Sequence, residues 1–280
     1  MKKVLKYMFF ALLTFIFLLV GYMKITGTNV NDVGLFVLSK IKQIKGNSVD
    51  LSALEGKETP TMTHEAWTNL LKRNVTTLGK VNYKGFIEAK DSLDLYLNEL
   101  TTHPPGKNWN EADQLAYWIN AYNAFTVKLI IDHYPLKSIK DIGGNYPMIN
   151  SSWDIKFFKI GEVDFDLNTI EHAILRKKFS EPRIHFAINC ASFSCPKLRN
   201  EAFEAAQLEQ QLEEQTIFFI NNSDKNLITK KANQLSQIFE WFESDFNKNT
   251  SISALLTKHH SKFNPKNKIE YLEYDWTLNE

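Results

Sequence analysis

The chain has 280 residues, with 33 Lys+Arg against 32 Asp+Glu and a net charge of +1. Hydrophobic residues make up 44%, which excludes a disordered chain, and the balanced charge leaves no polybasic footprint for nucleic acid. Two cysteines, Cys190 and Cys195, exclude a disulfide-dense scaffold and a four-cysteine zinc module.

Lys2, Lys3 and Lys6 precede an uncharged run from Tyr7 to Met23, closed by Lys24. As a helix this run spans about 25 Å, near the lower limit for crossing a bilayer. No small-x-small cleavage site follows, so residues 1–24 are expected to be an uncleaved signal-anchor, one transmembrane helix that makes the membrane a partner. The amino terminus and its lysines favour N-in, which puts the body outside the cytoplasmic membrane, on the periplasmic side. Residues 25–62 read as a membrane-proximal segment and linker, with Gly46, Gly56 and Pro60 in its second part.

The body is expected to be one domain, residues 63–280. A helix is predicted from Thr63 to Arg73, a short extended piece at Val81–Phe86, and a helix at Asp91–Leu100. The strongest helix is Glu111–His133, where Leu115, Trp118, Tyr122, Phe125 and Leu129 form one apolar stripe. Asn120 and Asn123 fall beside that stripe, so both carboxamides are expected at least half buried, each with a specific partner: a loop backbone or a site. A long connection with Gly143, Gly144 and Pro147 leads to Trp153. A tight hairpin is predicted around Gly161, then an Asp166-capped helix, Leu167–Phe179. On that helix His172 and Arg176 lie opposite the apolar face of Leu167, Ile170 and Ile174.

Arg183–Ile188 has strand character and runs into a loop of small polar residues carrying both cysteines. Helix 201–221, strand Leu227–Lys230, helices Leu235–Phe246 and Ser251–His259, and strand Ile269–Tyr274 complete the pattern. Helices outnumber strands with no βαβ series, which predicts a helix-rich α+β domain with a small mixed or antiparallel sheet.

Six blocks in fixed order resemble the DUF547 family: Trp118-Ile-Asn-Ala-Tyr-Asn-Ala-Phe125, Ile170-Glu-His-Ala-Ile-Leu-Arg176, Pro182-Arg-Ile-His-Phe-Ala187, Asn189-Cys-Ala-Ser-Phe-Ser-Cys-Pro196, Phe239-Glu-Trp-Phe-Glu-Ser-Asp-Phe246 and Tyr274-Asp-Trp-Thr-Leu-Asn279. That family has no established activity, so the resemblance implies a fold unit and no reaction. Plant members resemble this chain around Cys190 but carry Ser where Cys195 stands.

Three chemistries fit these residues, and a fourth, metal binding, does not. A thiol-dependent hydrolase or acyltransferase would use Cys190 as nucleophile and His172 as base, with Glu171, Asn123, Asn120 or Asn189 orienting the imidazole or supporting an oxyanion, and His185 near the same cleft. Alternatively Cys190 and Cys195 pair as a disulfide, which blocks that nucleophile. Cys190, Cys195, His172 and His185 match no standard zinc spacing, so no metal or cofactor is expected. A binding module would line its pocket with Trp153, Trp118 and the Asn pair and hold an anion on Arg176 or Arg183, for a small-molecule or protein partner.

Overall fold

The computed structural model describes Leu54 and residues 58–143 and 151–280, all within the unit Ser48–Glu280. The signal-anchor at 1–24, most of the linker and the centre of the Gly143–Trp153 connection lie outside the described residues. Among those described, no helix is long and apolar enough to cross a membrane.

Four helices begin the domain: α1 Glu65–Asn74, α2 Tyr83–Glu88, α3 Lys90–Thr102 and α4 Glu111–Asp132. Helix α4 starts where the Asn110 side chain accepts from the Asp113 N–H at 2.8 Å, and burial runs along nearly all of it. Helix α2 replaces the extended piece expected at Val81–Phe86. The Asn82 side chain accepts from Gly85 N–H and caps a turn that buries Tyr83 and Phe86.

Strands β1 Phe158–Ile160 and β2 Val163–Phe165 form the expected antiparallel hairpin, turning through Gly161 at φ +57°. Asp166 then accepts from Thr169 N–H at 2.6 Å and starts the next helix. Its interior widens to a π-helix at Thr169–Leu175, which returns to α geometry at α5 Arg176–Lys178.

Arg183–Ile188 is not a strand but the single helical turn α6 Ile184–Ala187. All four of its residues are buried, so no in–out alternation exists for a sheet to use. The helix expected from residue 201 begins later, as a 3₁₀ turn at Ala205–Gln207 and α7 Leu208–Asn221. Asn120 binds both backbone groups of Phe203 at that point, which fixes an extended chain there. Leu235 belongs to a strand, and the helix expected after it is broken into α8 Ile238–Trp241 and α9 Glu243–Phe246. Helix α10 is Ile252–His259. Strands β3 Leu227–Ile228 and β4 Asn233–Leu235 pair antiparallel, and β4 pairs parallel with β5 Ile269–Tyr271. The result is α+β, helix-rich, with one hairpin and one small mixed sheet among the described residues.

Two apolar cores form among the described residues. The larger gathers α1 to α4, the hairpin and the π-helix; the smaller gathers Phe186, Phe219, Phe239, Phe246 and Leu256. Trp276 packs against both, while Cys190 packs against the smaller one. The candidate site lies along that seam.

Candidate functional site

Cys190 and Cys195 are joined in a disulfide with Cα atoms 6.2 Å apart. The two sulfurs differ in surroundings. Cys190 is half-buried, whereas Cys195 is 3% exposed. Ala191 follows Cys190 at φ +60°, a left-handed conformation uncommon for a residue with a Cβ.

The loop's shape is imposed from outside. Asn123 on α4 donates to Ala187 O at 3.0 Å and accepts from Asn189 N–H at 2.8 Å. Asn189 donates to Pro196 O at 2.7 Å and accepts from Ala191 N–H at 2.9 Å, which closes the loop. Gln215 donates to Phe186 O and Lys197 O. The C-terminal tail is zipped on: Phe193 N–H donates to Thr277 O, Ser194 N–H to Asp275 O, and Asn279 N–H to Ala191 O. Asn120 and Asn123 are thus buried as expected, and each has a backbone partner on a loop.

The tail delivers Tyr274 to the sulfurs. Its hydroxyl donates to Cys195 Sγ at 3.3 Å and lies 3.4 Å from Cys190 Sγ. Cys195 Sγ also accepts Cys190 N–H at 3.0 Å and faces the Ser192 hydroxyl at 3.2 Å. Ser192 is in reach of Tyr274 as well, at 3.2 Å. Ser192 has one proton to give, so it goes either to the sulfur or to Tyr274. In both cases Cys195 keeps a backbone N–H and at least one hydroxyl. Burial pushes the Tyr274 phenol well above its usual range, so it remains a donor at neutral pH.

From Tyr274 a wall of rings continues. Tyr274 packs on Trp276 with centroids 4.6 Å apart, Trp276 stacks on Trp241 at 5.9 Å, and Trp153 meets Trp276 edge-on at 5.7 Å. The Trp153 indole lies against the Tyr122 oxygen, and the Tyr122 hydroxyl donates to Glu171 Oε2 at 3.2 Å. Glu171 is 8% exposed and makes no ion pair with any described residue. Its field acts on both Tyr122 and Tyr274 and raises their pKa values further.

The imidazoles lie elsewhere. His172 is exposed and accepts from Arg176 Nη1 at 2.9 Å. Widening the helix puts Ile170, Glu171, Ile174 and Leu175 on the inner side, so Glu171, not His172, is turned inward. His185 is buried, with Nε2 2.9 Å from Asp245 Oδ2 and its ring stacked on Phe242 at 3.8 Å. Its Nδ1 has no hydrogen-bond partner among the described residues. Desolvation lowers the His185 pKa against the pull of Asp245, so the ring is neutral. Asp245 also accepts from Arg176 and pairs with Lys248 at 3.1 Å; these three partners outweigh burial and hold its carboxyl well below the usual range. Arg183 is neutralised by Glu181 at 2.6 Å and Glu209 at 2.7 Å. Among the described residues no imidazole hydrogen-bonds either sulfur, and no group of three His, Cys, Asp or Glu is arranged to hold a metal ion.

The structure therefore brings together Cys190, Glu171 and Trp153 from the sequence-derived set, and places His172, Arg176, His185 and Arg183 in separate ion-pair and hydrogen-bond networks. Tyr122, Ser192, Tyr274 and Trp276 were missed. Tyr274 and Trp276 stand in the tail block, and Ser192 in the cysteine block, so the signal was position within a motif and not residue chemistry.

Residues 106–220 match the family model described as protein of unknown function, DUF547, which supports the resemblance read from the sequence. The match contains Tyr122, Glu171 and both cysteines and ends before Asp245 and Tyr274. No curated protein and no solved structure matches the chain.

Proposed function

We propose that the domain carries out thiol–disulfide exchange through Cys190 and Cys195, tethered to a membrane by its N-terminal segment. One observation carries this reading: the more exposed cysteine is the one a thiol can attack, and the buried one alone accepts a backbone N–H, while the Ser192 and Tyr274 hydroxyls lie within 3.4 Å of both sulfurs. A substrate thiolate attacks Cys190 Sγ. The S–S bond breaks and its electron pair leaves on Cys195, where the Cys190 N–H and the Ser192 or Tyr274 hydroxyl stabilise the thiolate. A second thiol of the same substrate, deprotonated, attacks the mixed disulfide and expels Cys190. The dithiol substrate is oxidised by two electrons and the protein holds two thiols, which take up the substrate's two protons.

The test is equilibration of the full chain with dithiothreitol near neutral pH, quenched by acid and followed by mass. Reversible one-to-one transfer within minutes supports the reading. A disulfide that stays unreduced until the protein is denatured would show it to be structural and overturn the proposal.

The sequence expectation of a hydrolase or acyltransferase remains as a second reading, favoured by one observation. Glu171 is a nearly buried carboxylate on the ring wall that Cys190 shares through Tyr274. In the reduced protein Cys190 would attack an acyl carbon, with Glu171 as the proton acceptor. A thioester on Cys190, formed from an activated ester only after reduction and diminished in Glu171→Gln, is the result this reading requires.

A further inference from the structure

Glu171 is a buried carboxyl group with no ion-pair partner among the described residues, an arrangement that is costly for the charged form in isolation. Its Oε2 is engaged by the Tyr122 hydroxyl. None of the described residues donates to Oε1, and the residue keeps 8% of its surface exposed. The carboxylate stands on a π-helix, a distortion rare in proteins and frequent at functional sites. Aromatic groups border it: Tyr122 in direct contact, Trp153 against Tyr122, and Trp276 beyond.

We infer that Glu171 and this aromatic wall form a binding site for an organic ammonium group, such as the amine of a lysine-like or alkylamine ligand. The carboxylate supplies the ion pair that the chain itself leaves unmade. The partly exposed Trp153 and Trp276 rings supply cation–π attraction, which strengthens as the cation is desolvated. The wall already holds one ammonium: Lys140 Nζ sits 4.0 Å from the centroid of the Trp276 ring. A hard divalent cation is a poorer match, because it needs about six oxygen ligands and this site offers one carboxylate and hydroxyls. The ammonium site stands on Glu171 and the rings, and it requires no reaction at the disulfide.

The test uses the full-length oxidised protein, with n-butylammonium as probe and 1-butanol as its neutral analogue. Binding is read by calorimetry and by quenching of tryptophan fluorescence. The expected result is saturable binding of n-butylammonium, at least about tenfold tighter than 1-butanol and weakened at least about tenfold in Glu171→Gln. No saturable binding, equal binding of the two probes to the wild-type chain, or unchanged binding to folded Glu171→Gln would overturn the inference. The wild-type comparison stands even if the variant fails to fold. Displacement of the amine by stoichiometric Mg²⁺ would overturn the ammonium assignment.

Discussion

The Tyr274 hydroxyl donates to Cys195 Sγ at 3.3 Å, across 79 residues of sequence. That contact couples the C-terminal tail to the leaving sulfur of the proposed exchange. Tyr274→Phe removes one donor to a thiolate while keeping the ring on Trp276. A hydrogen bond to a charged acceptor is worth about 1.5–3 kcal/mol, so the Cys195 thiol pKa is expected to rise by about 1–2 units. Alkylation of the reduced protein as a function of pH measures it; an unchanged pKa would remove Tyr274 from the mechanism.

Asn123 holds two backbone groups at once, Ala187 O and Asn189 N–H, at a position 2% exposed. Asn123→Ala leaves both unpaired in the core. Each orphan costs about 1–3 kcal/mol, so a loss of about 2–6 kcal/mol is expected in urea unfolding. The cysteine loop should also lose hydrogen-exchange protection at Asn189 and Ala191. A change below about 0.5 kcal/mol would mean that the loop is held by its other contacts alone.

Asp245 gathers Arg176, His185 and Lys248 on one carboxylate. Arg176 and His185 are largely buried, whereas Lys248 is on the surface. Asp245→Asn is expected to destabilise by about 3–5 kcal/mol, since it leaves the Arg176 charge poorly paired. Lys248→Ala is expected to cost under about 1 kcal/mol. Equal effects of the two substitutions in thermal unfolding would contradict the ranking.

Acid should weaken the fold in two stages. Burial pushes His64 down to about 4, and its Nδ1 lies 2.7 Å from the Tyr96 hydroxyl. His185 is also lowered. Below the ordinary histidine range the unfolded chain binds these protons and the folded one resists them, so stability falls as pH drops from about 6.5 toward 4. His64 alone accounts for about 3 kcal/mol of that loss. Asp245, lowered when folded, adds a further loss as pH falls through and below the ordinary carboxylate range. Unfolding free energies measured from pH 7.5 to 4 test the sign. A flat profile would contradict it, and His64→Gln should flatten the first stage.

How much was legible in sequence depends on the range of the force involved. Helix α4, the turn at Gly161 and the cap at Asp166 are local, and each formed as the residue pattern requires, but burial on α4 extends past the stripe to Tyr117 and Ala121, which its pattern places on the wet side. Asn120 and Asn123 are buried as expected, on a helix that is covered on nearly every side. Three features were not legible. A π-widening shifts the inward side chain from the expected pattern to Glu171, and no residue type encodes it. Ile184–Ala187 alternates in polarity like a strand, yet His185 is buried because Asp245, 60 residues away, receives it. The donors around Cys195 include a tyrosine brought in by the tail, and hydroxyls give no sequence signal comparable to that of a histidine.

The central claim is that Cys190 is attacked and Cys195 leaves. Its most direct test is to trap the mixed disulfide. Purified Cys195→Ser and Cys190→Ser variants, each carrying one thiol, are incubated with 5-thio-2-nitrobenzoate disulfide under native conditions, and the adducts are timed by mass. The account expects rapid modification of Cys190 in Cys195→Ser and slow modification of the buried Cys195 in Cys190→Ser. Faster modification of Cys195, or no native modification of either sulfur, would contradict it.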